Sequence, residues 1–254
     1  MLCPYTGSKG DPLTESKHSR RNFLRLAAAT TLAATTLAVP EVAQAAPFTV
    51  DSPPTPDAAL KELLDGNVRF IRGRLRHPDQ RPSRIAEVAK GQHPFAVILG
   101  CADSRVAPEI VFDQGLGDLF VVRVAGNIAS DDVFGSIEFA VEEFGTPLVT
   151  VLGHQRCGAV TATLNAMDKG STVPAHIDSL VAAIKPVVAE VGTVTGDRVD
   201  TVVRENAIHV AHQLMDESEI LKEKIESGKL KIVDARYNLD DGRVDLLDTA
   251  GHSH

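Results

Sequence analysis

The chain has no tryptophan, two tyrosines and an aromatic share of 4%. That scarcity argues against a carbohydrate groove lined with stacked rings and against a base-stacking platform for nucleic acid. Positive charge is also in short supply. Lys and Arg number 26 against 34 Asp and Glu, a formal net charge of −8. An acidic chain is a poor partner for nucleic acid or an anionic membrane surface. Long hydrophobic runs are missing too. The stretch "LAAATTLAATTLAV" near the N-terminus is short and diluted by Ala and Thr, too weakly apolar to span a bilayer.

That weak run has flanks with a meaning of their own. Ser19-Arg20-Arg21-Asn22-Phe23-Leu24-Arg25 precedes it, a twin-arginine pattern, and Ala43-Gln44-Ala45 follows it, a small-x-small cleavage site. Residues 1–45 therefore read as a twin-arginine signal peptide. The protein is expected to be bacterial and exported to the periplasm or beyond, with no stable membrane anchor once the leader is cut. This route carries folded proteins, often with a cofactor already loaded. The leader carries five basic and three acidic residues, so its removal takes the net charge from −8 to −10.

Residues 46–56, "APFTVDSPPTP", read as a flexible lead-in, and 57–254 as one α/β domain. Leu60, Leu63, Leu64, Val68 and Ile71 recur at helical spacing behind an expected cap at Asp57, predicting an N-terminal helical arm over about 57–74. "FAVILG" (95–100), "LFVVRV" (119–124) and "PLVTVLG" (147–153) are apolar without alternation. Helical spacing lies between them, with Val133, Ile137, Val141 and Phe144 on one face. Such strands predict a mostly parallel central sheet covered by helices on both sides. Further helices are expected over about 157–168, within 176–190, and as one long element over 198–227. "KLKIVDARY" and "RVDLLD" would close the sheet, the second as an edge strand joined at "DDG". No internal repeat is evident.

Two cysteines remain after the leader, since Cys3 lies within it. Cys101 ends the first apolar run, in "LGCADSRVAPE". Cys157 lies three residues after His154, in "GHQRCGA", after the third. Ligands in parallel sheets bind beyond the carboxyl ends of strands, so these groups fall on one rim. In an oxidising compartment the pair could form a disulfide or a reversible redox module. Two thiolates and one imidazole also suit zinc, with a fourth position left open. His154 and Cys157, one helical turn apart at a helix start, could face the same way, and a helix N-terminus favours thiolate at Cys157. Asp103 could be a fourth ligand or a hydrogen-bond acceptor for a water, with Arg105 clamping its carboxylate. An ordinary surface ion pair in a turn fits the same spacing.

"CADSRVAPE", "GDLFVVRVAGN" and "GSIEFAVEEFGTPLVTVLGHQRCGAV" together resemble the β-class carbonic anhydrases, over about Asp57 to Asp248. The resemblance implies one Zn2+ per subunit on Cys101, His154 and Cys157, with Asp103 and Arg105 as a catalytic dyad. It implies a dimer as the minimal unit, or a higher even-numbered homo-oligomer, with active sites near the dimer interface. The implied reaction is zinc-dependent, reversible hydration of carbon dioxide to bicarbonate and a proton; some relatives instead hydrolyse carbonyl sulfide or carbon disulfide. Gln92, Phe120, Phe139 and Gly158 are the implied substrate-pocket residues, Phe139 standing where the plant-type group often has tyrosine. Some bacterial members bind inhibitory bicarbonate through a Trp, an Arg and a Tyr. Arg123 and Tyr237 match the last two, but Ile98 replaces the Trp, so that pocket is not expected here. His93, His209 and His212 are the candidate proton shuttles.

Overall fold

The computed structural model describes residues 54–247. The twin-arginine pattern, the cleavage site and most of the lead-in lie outside the described residues. Four parallel strands and one antiparallel strand form a single sheet: β1 (Ala96–Gly100), β2 (Leu119–Arg123), β3 (Leu148–His154), β4 (Lys231–Tyr237) and β5 (Val244–Leu246), in the order β2-β1-β3-β4-β5. The branched, non-alternating runs become the buried strands: every residue of β1 and β3 is buried. β2 departs from the expectation of full cover. It lies at the sheet edge, and its four apolar residues are only half-buried.

Helices cover the sheet as βαβ connections require. α4 (Asp131–Phe144) and α7 (Arg198–Glu217) pack on Val97, Leu99, Val149, Val151 and Ile232, joined by α8 (Glu219–Glu226) through Leu221. On the opposite face α1 (Pro56–Ile71) and α3 (Pro108–Val111) pack on Ile98, Leu148, Leu152 and Val233. The short α2 (Pro82–Val88) precedes β1. Beyond the strands' carboxyl ends, α5 (Gly158–Lys169), α6 (Ile177–Val191) and α7 form a third apolar cluster that includes Cys101 and Cys157.

Three local expectations need correction. The cap of α1 is Thr55, not Asp57: Thr55 Oγ1 accepts the Ala58 N–H at 3.3 Å, and Pro56 takes the first helical position, where a missing N–H costs nothing. The helix buries Ala59, Leu63, Gly66 and Asn67, whereas Val68 stays exposed. Gly66 sets that rotation, because a Cβ there would overlap the Phe112 carbonyl. Finally, the long helix expected over 198–227 is two helices. Ser218 breaks it, capping α8 by accepting the Leu221 N–H at 3.2 Å while donating to Glu138 at 2.6 Å.

The register places the strand ends on one level. Gly100 pairs with Arg123 on one side and Leu152 on the other, and His154 pairs with Tyr237. The β4–β5 hairpin turns back across 238–243, beside the end of β3.

Candidate metal centre and active site

Cys101 is the first residue after β1, and His154 is the last of β3. Cys157 is the N-cap of α5. His154 and Cys157 therefore do not share a helix turn, as their spacing suggested. The intervening Gln155-Arg156 reverses the chain, with Arg156 in the left-handed region at φ 54°. Three ties hold this turn to the β4–β5 hairpin. Gln155 N–H donates to the Tyr237 carbonyl at 3.0 Å, and Gln155 Oε1 accepts the Leu239 N–H at 3.2 Å. Arg156 grips Asp240 through two bonds of 3.1 and 2.8 Å.

The result is convergence. The Cys101 and Cys157 sulfurs and a His154 ring nitrogen all lie within 4.8 Å of one another, and all three residues are buried. Twice a zinc–sulfur bond of ~2.3 Å is about 4.6 Å, so one ion could reach the set with little adjustment. His154 Nδ1 lies 3.0 Å from the Gln155 carbonyl, its hydrogen-bond acceptor in the tautomer that leaves a lone pair on Nε2. Nε2 is buried and has no hydrogen-bond partner. A buried imidazole nitrogen without a proton donor, facing two sulfurs, is a donor set a soft-to-borderline cation satisfies.

The two sulfurs titrate as a pair. A hydrogen bond from Cys157 is the main influence lowering the Cys101 thiol to about 4; the Gly126 N–H adds to it. Cys157 is pushed up because it keeps the proton that Cys101 accepts and is itself buried. The amides at the start of α5 pull Cys157 down, as a helix N-terminus should, but do not win.

The turn after β1 carries a charged pair beside this group. Arg105 Nε and Nη2 donate to the two Asp103 oxygens at 2.9 and 2.8 Å, and the Arg105 backbone N–H adds a third bond at 3.0 Å. These hydrogen bonds hold the Asp103 carboxyl well below the usual carboxylate range. Asp103 is largely covered, while the Arg105 side chain is half exposed. Asp103 Oδ2 still lies 3.9 Å from His154 Nε2. Arg123, at the end of β2, donates to the Cys101 carbonyl at 2.9 Å and to the Asp103 carbonyl at 2.6 Å. Its guanidinium thus braces the turn that carries both functional groups.

The expected pocket residues divide. Gly158, exposed beside Cys157, has open space where a Cβ would project. Gln92 and His93 are exposed in the segment before β1. Phe120 pairs in register with Val97, four residues (about 13 Å) back along the strands from Cys101. It neighbours Phe144, with ring centroids 6.2 Å apart, and Phe144 meets the 52%-exposed Phe139 edge-on at 5.5 Å. Within this one chain, Phe120 and Phe139 thus form an aromatic patch at the β2 edge. His209 and His212 line a groove of about 480 Å³ with Val187, Val191 and Ile208, apart from the Cys-His-Cys group. One residue with a place at the site was not read from the sequence. Asn206, within the apolar stripe of α7, bonds the Gly126 carbonyl, and Gly126 in turn bonds Cys101.

Comparison with known proteins agrees with this arrangement. Residues 96–244 match the family described as "Carbonic anhydrase". Carbonic anhydrase 2 of Mycobacterium tuberculosis is 46% identical over 198 residues, 78% of this chain and 95% of that one. The carbonic anhydrase of Pseudomonas aeruginosa is 31% identical over 202 residues, 75% and 89% of the two chains. Among solved structures, a tetrameric β-carbonic anhydrase of Sordaria macrospora superposes with a TM-score of 0.60 at 24% identity, covering 66% of this chain and 87% of that one. A Coccomyxa β-carbonic anhydrase in complex with acetazolamide gives 0.58 at 24% identity, covering 75% and 82%. By family match, sequence identity and fold, the chain belongs to the carbonic anhydrases and has the β-class fold.

Proposed function

We propose that the chain catalyses the reversible hydration of carbon dioxide to bicarbonate and a proton, with one zinc ion per subunit held by Cys101, His154 and Cys157. One observation carries this reading: a buried His154 Nε2 without a hydrogen-bond partner converges with two sulfurs beside a carboxylate that Arg105 holds ionised. Zinc bound there supplies a Lewis acid that makes hydroxide available from water near neutral pH, as in the three-histidine carbonic anhydrases.

The chain's own groups do the rest. His154 is fixed in orientation by the Gln155 carbonyl. Arg105 fills three of the acceptor positions of Asp103, two on Oδ1 and one on Oδ2, and so would hold that carboxylate beside the metal rather than on it. Asp103 retains lone pairs for one proton of the reacting water and so aims the water's oxygen at the carbon of carbon dioxide. Gly158 leaves the approach beside Cys157 open.

The same reading includes a homo-oligomer. β2 ends the sheet with an unpaired edge of half-buried apolar residues, Phe139 is exposed, and the Leu60, Leu64, Val68 and Ile71 stripe of α1 is incompletely covered. An apolar strand edge beside an exposed aromatic suits a second copy of the chain. The tetrameric Sordaria relative supports this assembly. Export by the twin-arginine route belongs to the proposal as well, resting on residues 19–25 and 43–45. Replacing Arg20 and Arg21 together by Lys should leave the protein in the cytoplasm; normal export of that variant overturns the assignment.

The deciding measurement is stopped-flow hydration of carbon dioxide by the purified chain, with its zinc content. One zinc per chain and rapid hydration, both lost on chelation, are expected. A zinc-loaded chain that does not hydrate carbon dioxide overturns the proposed activity, and hydrolysis of carbonyl sulfide instead would redirect it.

A further inference from the structure

The inward face of α7 is made of Val202, Val203, Ala207, Val210, Ala211 and Leu214, with one polar interruption, Asn206. Asn206 is 2% exposed, so its carboxamide must find a partner inside the protein. Its Nδ2 donates to the Gly126 carbonyl at 3.0 Å, across 80 residues of sequence. The N–H of the same Gly126 donates to Cys101 Sγ at 3.3 Å. Gly126 holds φ +80°, and a Cβ there would come within 2.8 Å of Ile184 Cδ1 and 3.1 Å of Ala159 Cβ. Only glycine fits, and glycine by itself would let its peptide groups swing.

We propose that Asn206 is a positioning residue for the Cys-His-Cys centre: by gripping the Gly126 carbonyl it aims the Gly126 N–H at the Cys101 sulfur. The two bonds sit on the two peptide planes that meet at one Cα, so holding the carbonyl narrows the range over which φ and ψ of this glycine can turn the amide away from the sulfur. An N–H pointed at a ligand thiolate withdraws electron density from the sulfur and limits its rotation, which sets how strongly it binds the metal. The inference rests on Cys101 being a metal ligand. It goes further in assigning α7, which contributes no ligand, a part in setting metal affinity.

The test compares the full-length zinc protein with Asn206→Leu, which is close in volume and lacks the donor. Val210→Ala serves as a control, a cavity in the same helix face that opens into the cluster with Val97 and Val149 rather than into the one that holds Cys101 and Cys157. Asn206→Leu should lose zinc to a chelator about tenfold faster, shift the thiolate-to-metal charge-transfer band of the cobalt form, and speed hydrogen exchange at the Gly126 amide. Val210→Ala should lower the melting temperature and leave band and exchange unchanged. Unaltered zinc release, band and Gly126 exchange in Asn206→Leu overturn the proposal, as does an equal band shift in the control. If Asn206→Leu does not fold, Asn206→Gln, with the donor on a longer arm, is measured in the same way and should move the same readouts less. Absence of zinc from the unmodified protein overturns the metal reading on which the proposal rests. Unchanged Gly126 exchange with normal zinc overturns the relay alone.

Discussion

The site is built from two chain reversals at the ends of neighbouring strands, and they are held in different ways. The reversal after β1 is largely self-supporting: Arg105 closes on Asp103 two residues away, through three bonds. The reversal after β3 is held from a distance. Tyr237, Leu239 and Asp240, more than 80 residues later, supply its ties. The first is thus coded where it stands, and the second exists only once the C-terminal hairpin is in place. The β1 turn keeps its Asp103–Arg105 pair by local chemistry, whereas the β3 turn fixes the spacing of His154 and Cys157 through tertiary structure.

Breaking the second reversal at its ligand should have the largest effect. Cys157→Ser is expected to reduce bound zinc to near zero and abolish hydration, checked by metal analysis of the purified protein. Stoichiometric zinc in that variant would remove Cys157 from the ligand set. Breaking the first reversal should separate the two roles. Asp103→Asn and Arg105→Ala are each expected to retain zinc and lose about 100-fold in hydration rate, the lower end of what a positioned acid–base group contributes. Stopped-flow turnover beside zinc content reads this, and normal turnover in both variants would reduce the pair to a surface ion pair.

A smaller effect is expected from Arg123→Met, which removes the brace on the Cys101 and Asp103 carbonyls. Metal affinity should fall by about tenfold, measured by competition with a chelator. The smallest is expected from Asp240→Ala. Its pair with Arg156 is exposed on both sides, and exposed pairs contribute little. Zinc content should be unchanged and turnover nearly so, because the two Gln155 bonds still hold the turn. A large loss of zinc would show that the salt bridge, not the backbone tie to Tyr237, fixes the β3 turn.

The same contrast explains what could be read in advance. Asp103 and Arg105 could be read as a pair because they lie two residues apart, whereas Cys101 gained meaning only beside His154 and Cys157, more than 50 residues later; the apolar, branched runs of β1 and β3 signalled buried strand. The expectation for His154 and Cys157 named residues that the structure does bring together, but by a different local geometry. Three-residue spacing mimics a helix turn, and nothing local announces that Arg156 takes a left-handed conformation. The Ser218 break was hidden because Ser inside a helical pattern becomes a cap only when a partner such as Glu138 comes alongside. Asn206 left a faint signal, one polar residue within an apolar stripe. Its meaning depends on Gly126, which the sequence places 80 residues away. Phe120 and Phe139 were read as pocket residues from resemblance. In the single chain they line an open sheet edge, where a second copy would decide what they touch.

Asn67 carries a consequence for the order in which the protein can be made. Its carboxamide donates to the Val111 and Gly242 carbonyls and accepts the Val244 N–H, the last two partners 175 and 177 residues further along. The helix that bears it is synthesised first among the described elements, yet its buried polar group is not satisfied until β5 has left the ribosome. Until then water has to serve the Asn67 carboxamide in place of its partners on the C-terminal hairpin. The first of the described helices thus completes its buried hydrogen bonds only with residues at the far end of the domain, so its full packing depends on the chain being present through residue 244.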